Sequence, residues 1–145
     1  MKSDEFVAKV QRRAGLDSPE SALLATGATL ATLSERLAGG EVKDLASQLP
    51  PEIGVFLLQP MEGMGVPFGL DEFFWRIGQR VGIDLQDAAL QARVVIGVLC
   101  EAVSMGEIEN IRAQLPKDIR QLFMVENEGE LPDVEEEYMP ESREL

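Results

Sequence analysis

The chain has no histidine, one cysteine, one tryptophan and one tyrosine among 145 residues. Without histidine there is no Ser-His-Asp triad, no Cys-His pair and no His-based metal site. With Cys100 alone there is no disulfide within one chain. Basic residues are also scarce, 13 against 26 acids, for a formal charge of −13. Phosphate-backbone binding needs clustered Lys and Arg, so nucleic acid and anionic membranes are expected to be absent as partners. No apolar run reaches 18 residues. The longest candidate, Ala22 to Leu33, is broken by three threonines and a glycine, so no spanning helix is expected. The charged start Met1-Lys2-Ser3-Asp4-Glu5 has no apolar segment behind it and does not read as a signal peptide, which points to a cytoplasmic location.

What is present is a core-forming composition, 45% hydrophobic, and an uneven charge. Residues 1–124 hold 17 acids and 12 bases, whereas residues 125–145 hold nine acids and one base. That last segment cannot bury enough apolar area to offset its ordering entropy and reads as a disordered acidic tail.

The strongest pattern is self-similarity. Asp4-Glu5-Phe6 recurs as Asp71-Glu72-Phe73, and the same offset of 67 pairs Val10 with Ile77, Arg13 with Arg80, and Gly15 with Gly82. After a one-residue loss, an offset of 66 pairs Glu35 with Glu101, Gly40-Glu41-Val42 with Gly106-Glu107-Ile108, and Gln48-Leu49-Pro50 with Gln114-Leu115-Pro116. The chain therefore reads as a duplication: repeat one over 1–59, a Pro/Gly/Met linker over 60–70, repeat two over 71–124, and the tail over 125–145.

Each copy reads as four helices. The first spans about Asp4 to Ala14, with Phe6, Val7, Val10 and Ala14 on one stripe and Gly15 as its stop. Glu5–Lys9 and Glu72–Arg76 are i, i+4 pairs in the favourable order. The second starts at Ser18-Pro19-Glu20, carries Leu23, Leu30, Leu33 and Leu37, and is expected to end at Gly39-Gly40. Its counterpart, about Gln86 to Ser104, is apolar nearly all round and reads as central. A short third helix runs from Glu41 to Gln48 and from Glu107 to Gln114, where a proline follows closely. The fourth runs from Pro51 to Leu58 and from Lys117 to Met124. The fold class is all-α: two tandem four-helix repeats packed as one pseudo-symmetric domain. Taken together, the doubled Asp-Glu-Phe, Arg-x-Gly-[Leu/Ile]-Asp, Gly-Glu and Gln-Leu-Pro motifs resemble the bacterial domain-of-unknown-function family 2267, over about residues 2–124. The resemblance implies a cytoplasmic helical domain and carries no activity and no catalytic residue.

Candidate chemistry is thin. Glu35 and Glu101 are equivalent and would suit a di-metal bundle only with Glu-x-x-His motifs that the chain lacks, so both read as solvated helix faces. Glu107 and Glu109, two apart, face different sides of a helix and make a poor acid–base pair. Glu135-Glu136-Glu137 lacks the spaced ligands of a calcium loop. Cys100 falls on the apolar side of its helix and reads as a buried small hydrophobe. Gly63-Met64-Gly65 lacks the Lys-Ser/Thr of a phosphate loop. Trp75 replaces Ala8 of the first copy, so the shared core does not demand it; it suits either packing or an exposed anchor for a partner. Met61, Met64 and Phe68 are expected to add an adaptable apolar surface near it.

The expected function is a non-enzymatic protein-interaction module using Trp75, Met61, Met64 and Phe68 together with the tail residues Glu135, Glu136, Glu137 and Tyr138. A protein partner is expected, no cofactor, and a homodimer stays open. The alternative is a small-ligand binder or a carboxylate-dependent enzyme with a pocket between the repeats, near Thr26, Thr29, Thr32 and Arg93.

Overall fold

The ends of the long helices follow from local chemistry. A computed structural model describes residues 1–58 and 67–123. Among them, only Gly15 and Gly82 take positive φ, at 65° and 86°. Each follows a twelve-residue helix, α1 (Ser3–Ala14) and α5 (Leu70–Val81), and stops it in the left-handed conformation that glycine adopts without steric cost. The next residue then folds back: Leu16 N–H donates to Gln11 O at 2.9 Å, and Ile83 N–H donates to Gly78 O at 3.0 Å. The following helices are capped by side chains. Ser18 Oγ accepts from Ser21 N–H ahead of α2 (Pro19–Ser34), and the Asp84 carboxylate accepts from Asp87 N–H ahead of α6 (Leu85–Ala102). Each such cap is worth about 1 kcal/mol.

Shorter elements complete each half: α3 (Gly39–Ser47) and α4 (Pro51–Gly54) in the first, α7 (Met105–Gln114), α8 (Lys117–Arg120) and a 3₁₀ turn (Gln121–Phe123) in the second. The described residues contain no strand, so they are all-helical. Some boundaries differ from the sequence reading. The second helix stops at Ser34, not Gly39-Gly40, because Leu37 must turn inward and is 2% exposed. The two glycines instead open α3. The fourth helix is only one turn in each half, continued by turns or 3₁₀ structure. Leu23, expected on the core stripe, faces outward on α2 at 39% exposure.

The two halves do not keep separate cores. Helices α2 and α6 pack on each other, and both α1 and α5 lie against α2 and α6 alike. A single apolar cluster takes Phe6, Leu30 and Leu33 from the first half, and Phe73, Phe74, Ile77, Ile96 and Leu99 from the second. The rings of Phe73 and Phe74 meet edge to face, with centroids 6.0 Å apart. Fully burying each large apolar side chain stabilises by about 1.5–3 kcal/mol, so this shared cluster makes folding of the halves interdependent.

Candidate functional site

Three polar or apolar arrangements stand out from the core. The first lies where α2 meets α5. Glu35, which caps the end of α2, is 3% exposed and receives two arginines one helical turn apart on α5. Arg76 reaches it at 2.9 Å and Arg80 at 2.7 Å. Arg76 also grips Glu72, four residues back on its own helix, at 2.6 Å, and Arg80 donates to the Thr32 hydroxyl. The expectation of a solvated Glu35 is therefore wrong: α5 crosses the end of α2 and covers it. Burial alone would lower the pKa of Arg76, but the hydrogen bonds and charges of Glu72 and Glu35 outweigh it and hold the guanidinium above its ordinary value.

Phe68 belongs to this cluster. It is 6% exposed and carries Arg76 over its ring at 4.2 Å and Arg36 at 5.4 Å, both within cation–π range. Burial lowers the pKa of Arg36, and the charge of Asp118 partly offsets it. Trp75 is half-buried and packs against the shared core. Met61, Met64, Glu135, Glu136, Glu137 and Tyr138 lie outside the described residues. The structure thus draws Phe68 beneath arginines and places Trp75 on the flank of the core.

The second arrangement lies where α3 meets α7. Gln48, just past α3, accepts from Ser104 N–H at 2.8 Å and donates to Glu107 Oε1 at 3.4 Å. Gln114, at the end of α7, accepts from Ala38 N–H at 2.9 Å and donates to Glu41 Oε1 at 3.1 Å. Each glutamine therefore caps the start of the other half's third helix. Ser104-Met105-Gly106-Glu107 has the capping-box pattern, and Ser104 Oγ does accept from Glu107 N–H. The reciprocal bond is missing, because Gln48 takes the Ser104 amide and leaves the Glu107 carboxyl to face Glu41. Burial, then the hydrogen bond with Glu41 and the charges of Glu41 and Asp44, push Glu107 up to about 7.

The third arrangement is an open groove of about 520 Å³ beside α3 and α4. Ala46, Leu49, Pro51, Gly54, Val55 and Leu58 line it, with Lys43 and Ser47 as its polar members. Gly54 lets α4 lie directly on α3, since a Cβ there would meet Ala46 O at 2.9 Å. Val55 and Leu58 stand out at 46% and 52% exposure. Sixty-six residues further on, Ala46, Gly54 and Val55 give way to Arg112, Arg120 and Gln121. The groove is thus a feature of the first half's composition.

Two of the α2 threonines are tied into their own helix, whereas Thr29 Oγ1 is buried without a hydrogen-bond partner. Thr26 and Thr32 are fully buried, and their hydroxyls donate to Ala22 O at 2.8 Å and Ala28 O at 2.7 Å on their own helix. Cys100 is half-buried; burial and the charge of Glu101 push its thiol up to about 11, with Arg112 pulling the other way. Such a thiol is a poor nucleophile. No helix among the described residues is long and apolar enough to cross a membrane.

Residues 3–122 match a protein family described as an uncharacterized conserved protein, DUF2267. A comparison with curated proteins finds no match.

Proposed function

We propose, for a chain that belongs to the DUF2267 family, a non-enzymatic role as a helical interaction module whose α3–α4 groove holds an amphipathic helix of a protein partner. The observation that carries it is the groove itself: an apolar floor with Val55 and Leu58 exposed at its edge and Lys43 beside them. Helix-in-groove recognition uses an apolar stripe for affinity and flanking charges for register. The groove's composition calls for a stripe of aliphatic side chains with an acid placed to meet Lys43. Met61 and Met64, together with the nine acids of residues 125–145, are proposed on their composition alone as further contacts for the partner.

In the same reading the chain is a tandem duplication of a four-helix unit. The reciprocal Gln48 and Gln114 caps support it, because equivalent residues make equivalent bonds across the halves. The duplicated unit then diverged at the groove, keeping small side chains in one copy and arginines in the other.

The test is affinity capture from native lysate with quantitative mass spectrometry, using the full chain, Leu58→Asp, and a chain lacking residues 125–145. Leu58 is half exposed, so a charge there leaves the core intact. The expected result is one protein enriched by the full chain and depleted at least tenfold by Leu58→Asp. A partner retained by Leu58→Asp and lost on truncation would assign recognition to residues 125–145 alone and end the groove reading.

A further inference from the structure

The buried Glu107 and the half-buried Glu41 form a carboxyl pair that neither the groove nor the core packing explains. Both sit in the first turn of their helices, α3 and α7. One oxygen of each is fixed by the glutamine from the other half, Gln114 Nε2 to Glu41 Oε1 and Gln48 Nε2 to Glu107 Oε1. Because each glutamine is itself anchored on a backbone N–H, the orientation of both carboxyls is set from both sides. The second oxygens, Glu41 Oε2 and Glu107 Oε2, are buried and accept from no donor. Glu107 as a whole is 6% exposed. A buried acceptor without a donor costs about 1–3 kcal/mol, and two such oxygens in one place point to a missing shared hydrogen.

Charge makes the same argument. The groups acting on Glu107 from α3 are Glu41 and Asp44, both acids; from beyond the end of α3 comes the neutral amide of Gln48. Its own helix offers the Ser104 hydroxyl to its backbone N–H. Two ionised carboxylates cannot share such a place without a compensating charge. Among the described residues no group of three or more acidic, Cys or His side chains is placed to hold a metal ion.

We propose that Glu41 and Glu107 share a single proton between their Oε2 atoms, and that this proton is a latch closing α3 of one half against α7 of the other. Glu107 is pushed up to about 7, which puts the change of state in the neutral range. Its folded-state value lies above the ordinary carboxyl value of 4.5. The folded chain therefore holds a proton that the unfolded chain has released. The stabilisation is complete in acid, below the ordinary value, and is lost as pH rises toward about 7; above that it stays lost.

The test compares full-length wild type with Glu107→Gln and Glu41→Gln. An amide in either place donates to the remaining carboxylate without needing a proton. The melting temperature of wild type is expected to fall relative to both variants between pH 5 and pH 8, by about 5 °C for a chain of this size. The side-chain carboxyl carbon of Glu107, followed by NMR, is expected to titrate near neutral pH in wild type and in the ordinary carboxylate range in Glu41→Gln. Should one variant fail to fold, the other and the wild-type titration decide. Melting curves that run parallel across pH, or an ordinary midpoint for Glu107 in wild type, would overturn the proposal. So would a pH profile abolished by chelator, which would put a metal in place of the proton.

Discussion

Glu35 and Glu101 stand 66 residues apart, each near the end of a long helix, and each is held by two basic side chains one turn apart on a helix of the other half. Arg76 and Arg80 hold Glu35; Lys9 and Arg13 hold Glu101, at 3.0 and 2.6 Å. The layouts are nearly superposable in sequence terms, yet the Glu35 side chain is 3% exposed and that of Glu101 42%. The difference comes from what lies on top. Phe68 stacks over Arg76 and seals the Glu35 cluster, whereas the place 67 residues earlier is Met1, which is 38% exposed. Arginine also replaces lysine in the sealed version, supplying a planar fork that bridges Glu72 and Glu35 at once. The same geometry thus has two energetic meanings: a tightly constrained polar core in one place and a screened surface contact in the other.

The largest expected effect breaks the sealed cluster. Glu35→Ala leaves the largely buried Arg76 with Glu72 alone and releases Arg80, whose side chain is 32% exposed and can hydrate, so the cost is set at the low end for breaking a buried pair, about 3 kcal/mol. Equilibrium urea unfolding of this variant is expected to show a midpoint lowered by more than 1 M, taking an m value of about 2 kcal/mol/M. A loss under 1 kcal/mol would show that water reaches the arginines in the folded chain and that the two clusters do not differ in kind.

Phe68→Ala ranks second. It removes an almost fully buried ring and its stacking on Arg76 and Arg36, with a cost of about 3 kcal/mol. Its diagnostic value lies in combination: opening the seal hydrates Glu35. A double-mutant cycle of Phe68→Ala with Glu35→Ala is therefore expected to be non-additive by at least about 1 kcal/mol. Additive losses would mean that Phe68 packs beside the ion cluster without governing it.

This contrast was only partly visible beforehand. Helix identity was legible because glycine stops, the Ser18 cap and the i, i+4 pairs are local, and Gly15, Gly82 and Glu72–Arg76 sit as their spacing implies. Burial of Glu35 was not, since it depends on α5 crossing the end of α2, a contact between residues 41 and 45 apart. Gly39-Gly40 looked like a stop because two adjacent glycines weaken a helix. The chain turns earlier, to bury Leu37, and Gln114 then caps the start of α3 from 76 residues away. Gln-Leu-Pro occurs twice in the sequence, at Gln48 and Gln114, without revealing that each glutamine reaches into the opposite half. Pairing Glu41 with Glu107 at the same offset likewise could not say that the two carboxyls come together. Reciprocal contacts of this kind follow once α3 is placed against α7.

The smallest effect sharpens the comparison from the exposed side. Hydrogen bonding to Arg13 lowers the pKa of Glu101, against a smaller opposing push from burial and with help from Lys9. A lowered folded-state value means that the contribution is present above the ordinary carboxyl value and disappears as pH falls through the folded one. Glu101→Ala is therefore expected to cost about 0.5 kcal/mol at pH 7 and progressively less as pH falls below the ordinary carboxyl value. Raising the salt to 1 M, where the Debye length is about 3 Å, is expected to remove much of the pH 7 effect. The Glu35→Ala loss should respond less to salt, because Glu35 is 3% exposed and Arg76, under Phe68, 18%, even though Arg80 keeps contact with solvent. Equal salt sensitivity in the two variants would mean that exposure, 3% against 42%, does not set the worth of these ion pairs.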